Sequence, residues 1–440
     1  MLERLFRLRE CNTNPVTEIL AGITTFLTMC YILAVNPAIL ASSGMPRGAV
    51  FTATAISTII ATLMMGFYAN MPFALAPGMG INAFFTYVVV IAHGYTWQEA
   101  LTATLLSGLF FLGFSLLGLR SAIINGLPDG LKAAIGMSIG FMIASMGLVN
   151  AGIIVKTDVF LGLADLRQGP TFVAAIGIIL TAVIMAMRIR GGMILGILLT
   201  SLLGVFVQDP ATGHAVTNWT ILQEQGFFSA PPSLAPIFFH FSLDFLQLLN
   251  LDFLIIIITF LFVDIFDSLG TFVGILNRVS DVHDYTPSLS RCFITDSVGT
   301  VIGACLGTST VTTYAESSVG VAAGGRSGLT AVSIAACFIG ALFFSNLFLI
   351  IPSAATTPAM IMVGMFLVQA SFNLNFSDIS IGLPAMISTM ITALTWSISD
   401  GLAYGWISYF LIKVCTGKFR DLNSVVVIIS IIFILKAIFL

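Results

Sequence analysis

Charge is what this sequence lacks. Only 8% of its 440 residues are Asp, Glu, Lys or Arg, against about 25% in soluble domains, and 58% are hydrophobic. That balance excludes a soluble enzyme and a disordered chain. A net charge of −3 leaves no basic face for nucleic acid. Cysteine is scarce and scattered: the six residues form no C-x-x-C pair, which excludes a disulfide scaffold and leaves small, core-filling side chains. The four histidines show no ligand spacing, so no metal site and no cofactor are expected. There is no G-x-x-x-x-G-K-[ST] loop and no soluble segment large enough for a nucleotide-binding domain. Uphill transport would therefore draw on an ion gradient or a partner chain.

What is present is apolar sequence in blocks of about twenty, the length of a helix crossing a ~30 Å hydrocarbon core. The blocks, beginning near 17–40 and 49–69 and ending near 400–415, predict an all-α polytopic membrane protein of about fourteen transmembrane segments. A further apolar stretch lies at 424–440. Met1 to Glu10 places Leu2, Leu5, Phe6 and Leu8 on one side and predicts a short interfacial helix. The run from Ile19 to Leu40 is too long for a signal peptide and reads as the first span.

Lys and Arg set the orientation, because cytoplasmic loops hold the excess. With the N-terminus inside, Arg4, Arg7, Arg9, Arg120, Lys132, Arg188, Arg190, Arg278, Arg291, Arg326, Lys413, Lys418 and Arg420 are cytoplasmic. Only Arg47, Lys156 and Arg167 then lie outside, and the longest loop, about 208–250, has no Lys or Arg at all.

Ionisable side chains inside spans are costly and read as functional by default. They cluster here: Asp264 and Asp267 in one span, Asp296 in the next, and Glu316 in GTSTVTTYAESSVGVAAGG. Asp264 and Asp267 are i and i+3, hence on one helix face, continued by Ser268 and Thr271. Carboxylates on such a stripe hold a proton or accept hydrogen bonds from substrate N–H groups; the alternative is an interhelical structural pair. Two segments are also broken: Met71 to Gly80, with two prolines and two glycines, and Gly303 to Gly325, rich in Thr and Ser. Paired interruptions of this kind point to a transporter's midplane site. The triplet Thr25-Phe26-Leu27 recurs as Thr259-Phe260-Leu261, an offset of 234 that also carries Asn82 onto Glu316, and so predicts an inverted repeat.

GITTFLTMCYILAVNPAIL, ALAPGMGINAFFTYVVV, TFLFVDIFDSLGT and GTSTVTTYAESSVGVAAGGRSGLTA resemble the nucleobase–cation symporter-2 family, and within it the adenine–guanine–hypoxanthine permease branch. The resemblance implies two inverted seven-helix repeats split into a core and a gate domain, with short strands opening spans three and ten. On that division residues 1–210 form the first repeat, 211–250 an external loop and 251–440 the second repeat. It implies that Asp264 and Glu316 bind the base, with Gly80 and Asn82 beside them. It makes Asp267, together with Asp264, the ion-coupling carboxylates; Asp296 is a further candidate for that role from its place inside a span. Phe84 and Tyr314 are candidate apolar walls for a flat ring.

The reading is a secondary transporter in the cell membrane that imports a purine nucleobase with a proton or sodium as coupling ion, within the lipid bilayer; the resemblance alone implies a homodimer. Competing readings are a uracil or xanthine carrier of the same architecture, an anion carrier, an intramembrane enzyme and a channel. Carboxylates at the site disfavour an anion. No nucleophile–base pair or metal-ligand set suits an enzyme, and no repeated pore ring suits a channel.

Overall fold

The computed structural model describes the chain except residues 1, 117–128, 157–160, 168, 190, 211–212, 220–225, 243–250, 277–285, 371–373, 375, 396–397, 420–421, 423–425, 428–429, 432 and 435–440. The apolar stretch at 424–440 lies largely outside the described residues, as do Arg120, Arg190, Arg278 and Arg420. The fold is mostly helical. The first half carries α1 (Leu2–Phe6), α2 (Pro15–Met29), α3 (Ile32–Ala41), α4 (Arg47–Met64), β1 (Leu75–Pro77), α5 (Met79–Ala83) and α6 (Trp97–Leu116). It continues with α7 (Asp129–Asn150), a hairpin of β2 (Ile154–Lys156) and β3 (Leu161–Leu163), α8 (Gly169–Ala186) and α9 (Gly192–Phe206). The second half carries α10 (Leu251–Leu276), α11 (Thr286–Leu306), β4 (Val311–Thr313), α12 (Ser317–Ala322), α13 (Gly328–Leu342) and α14 (Ser345–Leu349). It closes with α15 (Ser353–Ala370), α16 (Ile379–Thr395) and α17 (Ile398–Cys415).

Local chemistry sets many of these boundaries. Asn14 caps α2 by accepting from the Thr17 N–H at 2.9 Å, and Pro15 supplies the fixed φ of a first helical residue. The first span is interrupted at Cys30 and Tyr31, between α2 and α3. Pro37 inside α3 denies the Leu33 carbonyl its usual helical donor. The helix expected over Met1 to Glu10 is only Leu2–Phe6, because Arg7 turns into the left-handed region (φ 51°). That turn buries Phe6 and Leu8 against Leu329 and leaves Leu2 and Leu5 exposed.

The helices pack in two groups. One joins α2, α4, α6, α10, α11 and α13 around the strands β1 and β4; the other joins α7, α8, α9, α15, α16 and α17. Each half of the chain contributes to both groups. Small residues permit the close approaches on which membrane helices rely. A methyl group on Gly140 of α7 would stand 2.6 Å from the Gly364 carbonyl of α15. One on Gly328 would collide with the Gly66 carbonyl.

Candidate functional site

Two extended segments meet in the middle of the first helix group. β1 and β4 pair antiparallel, with Leu75 opposite Thr313 and Pro77 opposite Val311. The Gly78 N–H donates to the Thr310 carbonyl at 3.0 Å, and the Tyr314 N–H to the Ala74 carbonyl at 2.9 Å. Because the strands run in opposite directions, α5 leaves this ribbon at one end and α12 at the other. Each strand is also pinned by a threonine from the helix that precedes it. Thr62 of α4 bonds both the N–H and the carbonyl of Leu75, each at 3.1 Å. Thr300 of α11 does the same to Val311, at 3.3 and 3.2 Å. A buried backbone group must find a partner, and a hydroxyl both donates and accepts, so one side chain satisfies two groups of a strand that has a neighbour on one side only.

The carboxylates surround this ribbon. Asp264 and Asp267 lie on α10, and Asp296 on α11. Thr312 donates to Asp267 Oδ2 at 3.3 Å and Thr313 to Asp296 Oδ1 at 3.3 Å. Successive strand side chains point to opposite faces, so Asp267 and Asp296 flank β4 on its two sides. Ser268 donates to the other oxygen of Asp296. The Thr300 hydroxyl that pins Val311 also reaches Asp264 Oδ2 at 2.9 Å. Asp264 Oδ1 is buried with no hydrogen-bond partner among the described residues. Glu316 lies at the start of α12, where its Oε1 accepts from the Tyr31 hydroxyl at 2.7 Å. Among the described residues, the side chains that donate to these four carboxylates are all hydroxyls. Asp264 and Asp296 are buried, whereas Asp267 and Glu316 are half-buried and keep access to open space.

The other sequence candidates fall into two places. Asn82 is buried behind the ribbon, accepting from the Ser309 hydroxyl and donating to the Pro77 carbonyl at 3.4 Å. Tyr314 donates its hydroxyl to the same carbonyl at 2.6 Å. Both therefore bear on the end of β1. Gly80 and Phe84 lie farther into the packing. A methyl on Gly80 would meet Ile139 of α7 at 2.6 Å, and Phe84 is buried edge-on to Phe260, with ring centroids 5.0 Å apart.

Sequence reasoning missed the hydroxyl partners Thr300, Thr312 and Thr313, the strand pin Thr62, and Tyr31. The run of Thr and Ser before Glu316 is a signal for Thr312 and Thr313, whereas Thr300 lies outside it. A tyrosine in mid-span, six residues before a proline, was a signal for Tyr31.

Residues 16–404 match the permease family. The chain is 37% identical to the adenine permease AdeP of Escherichia coli, covering 100% of this chain and 96% of that one. It is also 37% identical to the guanine/hypoxanthine permease PbuG of Bacillus subtilis, covering 100% of both. Among solved structures, the transmembrane domain of a cyanobacterial bicarbonate transporter, BicA, superposes with a TM-score of 0.63 at 15% identity, over 88% of this chain and 96% of that one. The murine anion transporter Slc26a9 superposes with a TM-score of 0.62 at 9% identity, over 91% of this chain and 68% of that one. At those identities the likeness is one of fold. A charge-poor, mostly helical chain with two carboxylate-flanked broken segments is thus a multi-pass membrane transporter and not an enzyme, and it belongs to the nucleobase–cation symporter-2 permease family.

Proposed function

We propose that this protein imports purine nucleobases, of the adenine, guanine and hypoxanthine class, across the cytoplasmic membrane by proton symport. The observation that carries the reading is a set of buried and half-buried carboxylates beside a two-stranded break, to which, among the described residues, the side chains that donate are hydroxyls. A purine is neutral and offers ring N–H donors, so carboxylate acceptors suit it. An anion would be repelled there, which separates this chain's substrate from those of the fold relatives that carry anions. Glu316 and Asp264 are the base acceptors in this reading. Asp267, with Asp264 and Asp296, carries the coupling proton. Asn82, Gly80 and Tyr314 shape the ribbon behind the base, and Phe84 backs that wall from the core.

The architecture accompanying this reading is two inverted seven-span repeats, 1–210 and 251–440, joined by an external loop at 211–250, with the N-terminus cytoplasmic. The group around β1 and β4 acts as the core and the group around α7 and α15 as the gate, the two rocking against each other in alternating access. A homodimer through the gate completes it. The test is uptake of a radiolabelled panel of purines, xanthine and uracil by cells lacking their own base carriers, with and without a protonophore and with sodium replaced. Purine uptake that collapses with the proton gradient is the expected result. Preference for uracil or xanthine would move the substrate to the alternative class, and uptake indifferent to both ion gradients would end the symport reading.

A further inference from the structure

Tyr31 stands where the first span breaks, in the two-residue interval between α2 and α3. Its side chain is only 1% exposed, so it does not itself line an open cavity. Its hydroxyl nevertheless reaches across 285 residues of sequence to Glu316 Oε1 at 2.7 Å. That length is typical of an O–H donor on a carboxylate. Glu316, by contrast, is half-buried. The pair thus has a hidden donor behind and an accessible acceptor in front. A carboxylate has two oxygens; the phenol engages one, and Oε2 receives no side-chain donor among the described residues.

We infer that Tyr31 is a positioning and specificity-determining residue, which fixes the plane of the Glu316 carboxylate so that Oε2 faces one ring N–H of the base at a set angle. The inference rests on the reading of Glu316 as a base acceptor. A hydrogen bond to a charged group is directional, and holding the acceptor in place before the ligand arrives removes an ordering cost from binding. A fixed oxygen discriminates sharply against a base whose N–H is replaced by N–CH₃. A carboxylate free to rotate turns aside and discriminates less. The interruption of the span acquires a purpose on this account: it sets a rigid phenol at the level of the start of α12.

The experiment measures equilibrium binding of hypoxanthine and its 1-, 7- and 9-methyl derivatives to the purified full-length protein. Tyr31→Phe is expected to weaken hypoxanthine binding about tenfold, the size of one hydrogen bond to a charged group. The discrimination against the methyl derivative that the wild type rejects most should shrink by a similar factor. In a Glu316→Gln background the same substitution should change little, because the two act as a unit. Equal weakening for every ligand, or full additivity with Glu316→Gln, would mark a merely structural role and overturn the inference. If Glu316→Gln itself binds like wild type, the acceptor reading fails; if Glu316→Gln weakens binding and Tyr31→Phe does not, the positioning role alone fails. Should Tyr31→Phe not fold, 3-fluorotyrosine at position 31 keeps the ring and the donor. Retained affinity and retained discrimination support the role, and loss of either overturns it.

Discussion

Glu18, on the first turn of α2, and Thr330, on the first turn of α13, share one buried oxygen. The Thr330 hydroxyl and N–H both donate to Glu18 Oε2, at 2.6 and 3.2 Å. The Ser327 N–H reaches the same oxygen at 3.2 Å, and the Arg326 N–H donates to the other, Oε1, at 2.8 Å. Asn70 accepts from Gly328 at 2.9 Å, and the Ser327 hydroxyl accepts from Leu329. Every N–H at the start of α13, which no helix satisfies internally, is therefore bonded, and a negative charge sits at the positive end of that helix. Each buried donor left unpaired costs about 1–3 kcal/mol. Glu18→Ala is expected to lower the melting temperature of the purified protein sharply and Glu18→Gln less so, while folded protein keeps its purine affinity. Unchanged melting of Glu18→Ala would show that the junction contributes nothing.

Glu316 should behave in the opposite way. Glu316→Gln keeps the size and one acceptor oxygen but loses the charge-assisted bond, worth ~1.5–3 kcal/mol. Purine affinity should fall by roughly 10- to 150-fold while melting changes little. Titration of purine into folded Glu316→Ala protein is decisive, and wild-type affinity there ends the acceptor role.

The two strand-pinning threonines differ in one respect that a pair of substitutions can read. Among the described residues Thr62 bonds Leu75 alone, whereas the single Thr300 hydroxyl proton is shared between the Val311 carbonyl and Asp264 Oδ2. Thr62→Val should cost about 1–2 kcal/mol of stability and leave uptake per folded molecule intact. Thr300→Val should lose both stability and uptake, and Thr300→Ser should restore them. Equal uptake by the two valine variants, normalised to folded protein, would detach Asp264 from transport.

Topology has a direct test at Ser233, exposed in the Pro-rich part of the long loop. In a cysteine-free background Ser233→Cys should react with an impermeant thiol reagent on intact cells. Labelling only after permeabilisation would reverse the orientation.

The native cysteines supply a contrast near the N-terminus. Cys11 is buried, and that burial, helped by the charges of Glu18 and Glu10, pushes its thiol up to about 11. Roughly one thiol in ten thousand is then ionised at neutral pH, and the thiolate is the reactive form. Cys415 is exposed. Maleimide added to the native protein should modify Cys415 early and Cys11 only on unfolding; equal rates would mean that the N-terminal segment does not pack against α13.

Much of the candidate site is legible in the sequence, and the reasons are local. Gly and Pro mark the two interruptions because they disfavour helix whatever their neighbours are. Asp264 and Asp267 fall on one face because helical periodicity places i and i+3 together. The paired strands begin 236 residues apart, at Leu75 and Val311, and the short helices 238 apart, at Met79 and Ser317, close to the offset of 234 that the sequence identities carry.

By itself, then, the sequence determined that the chain lives in a bilayer, where its helices break and which carboxylates lie inside, since each of these follows from composition or from spacing within one turn. Only the tertiary structure decided what those groups touch. Glu18 looked like an ordinary residue at a span entrance and proves to be the buried cap of a helix some 310 residues away. Tyr31 looked like one aromatic among many and proves to be the donor to Glu316. A hydrogen bond depends on a few tenths of an ångström between atoms that the chain brings together only by packing, and no period in the sequence encodes that distance.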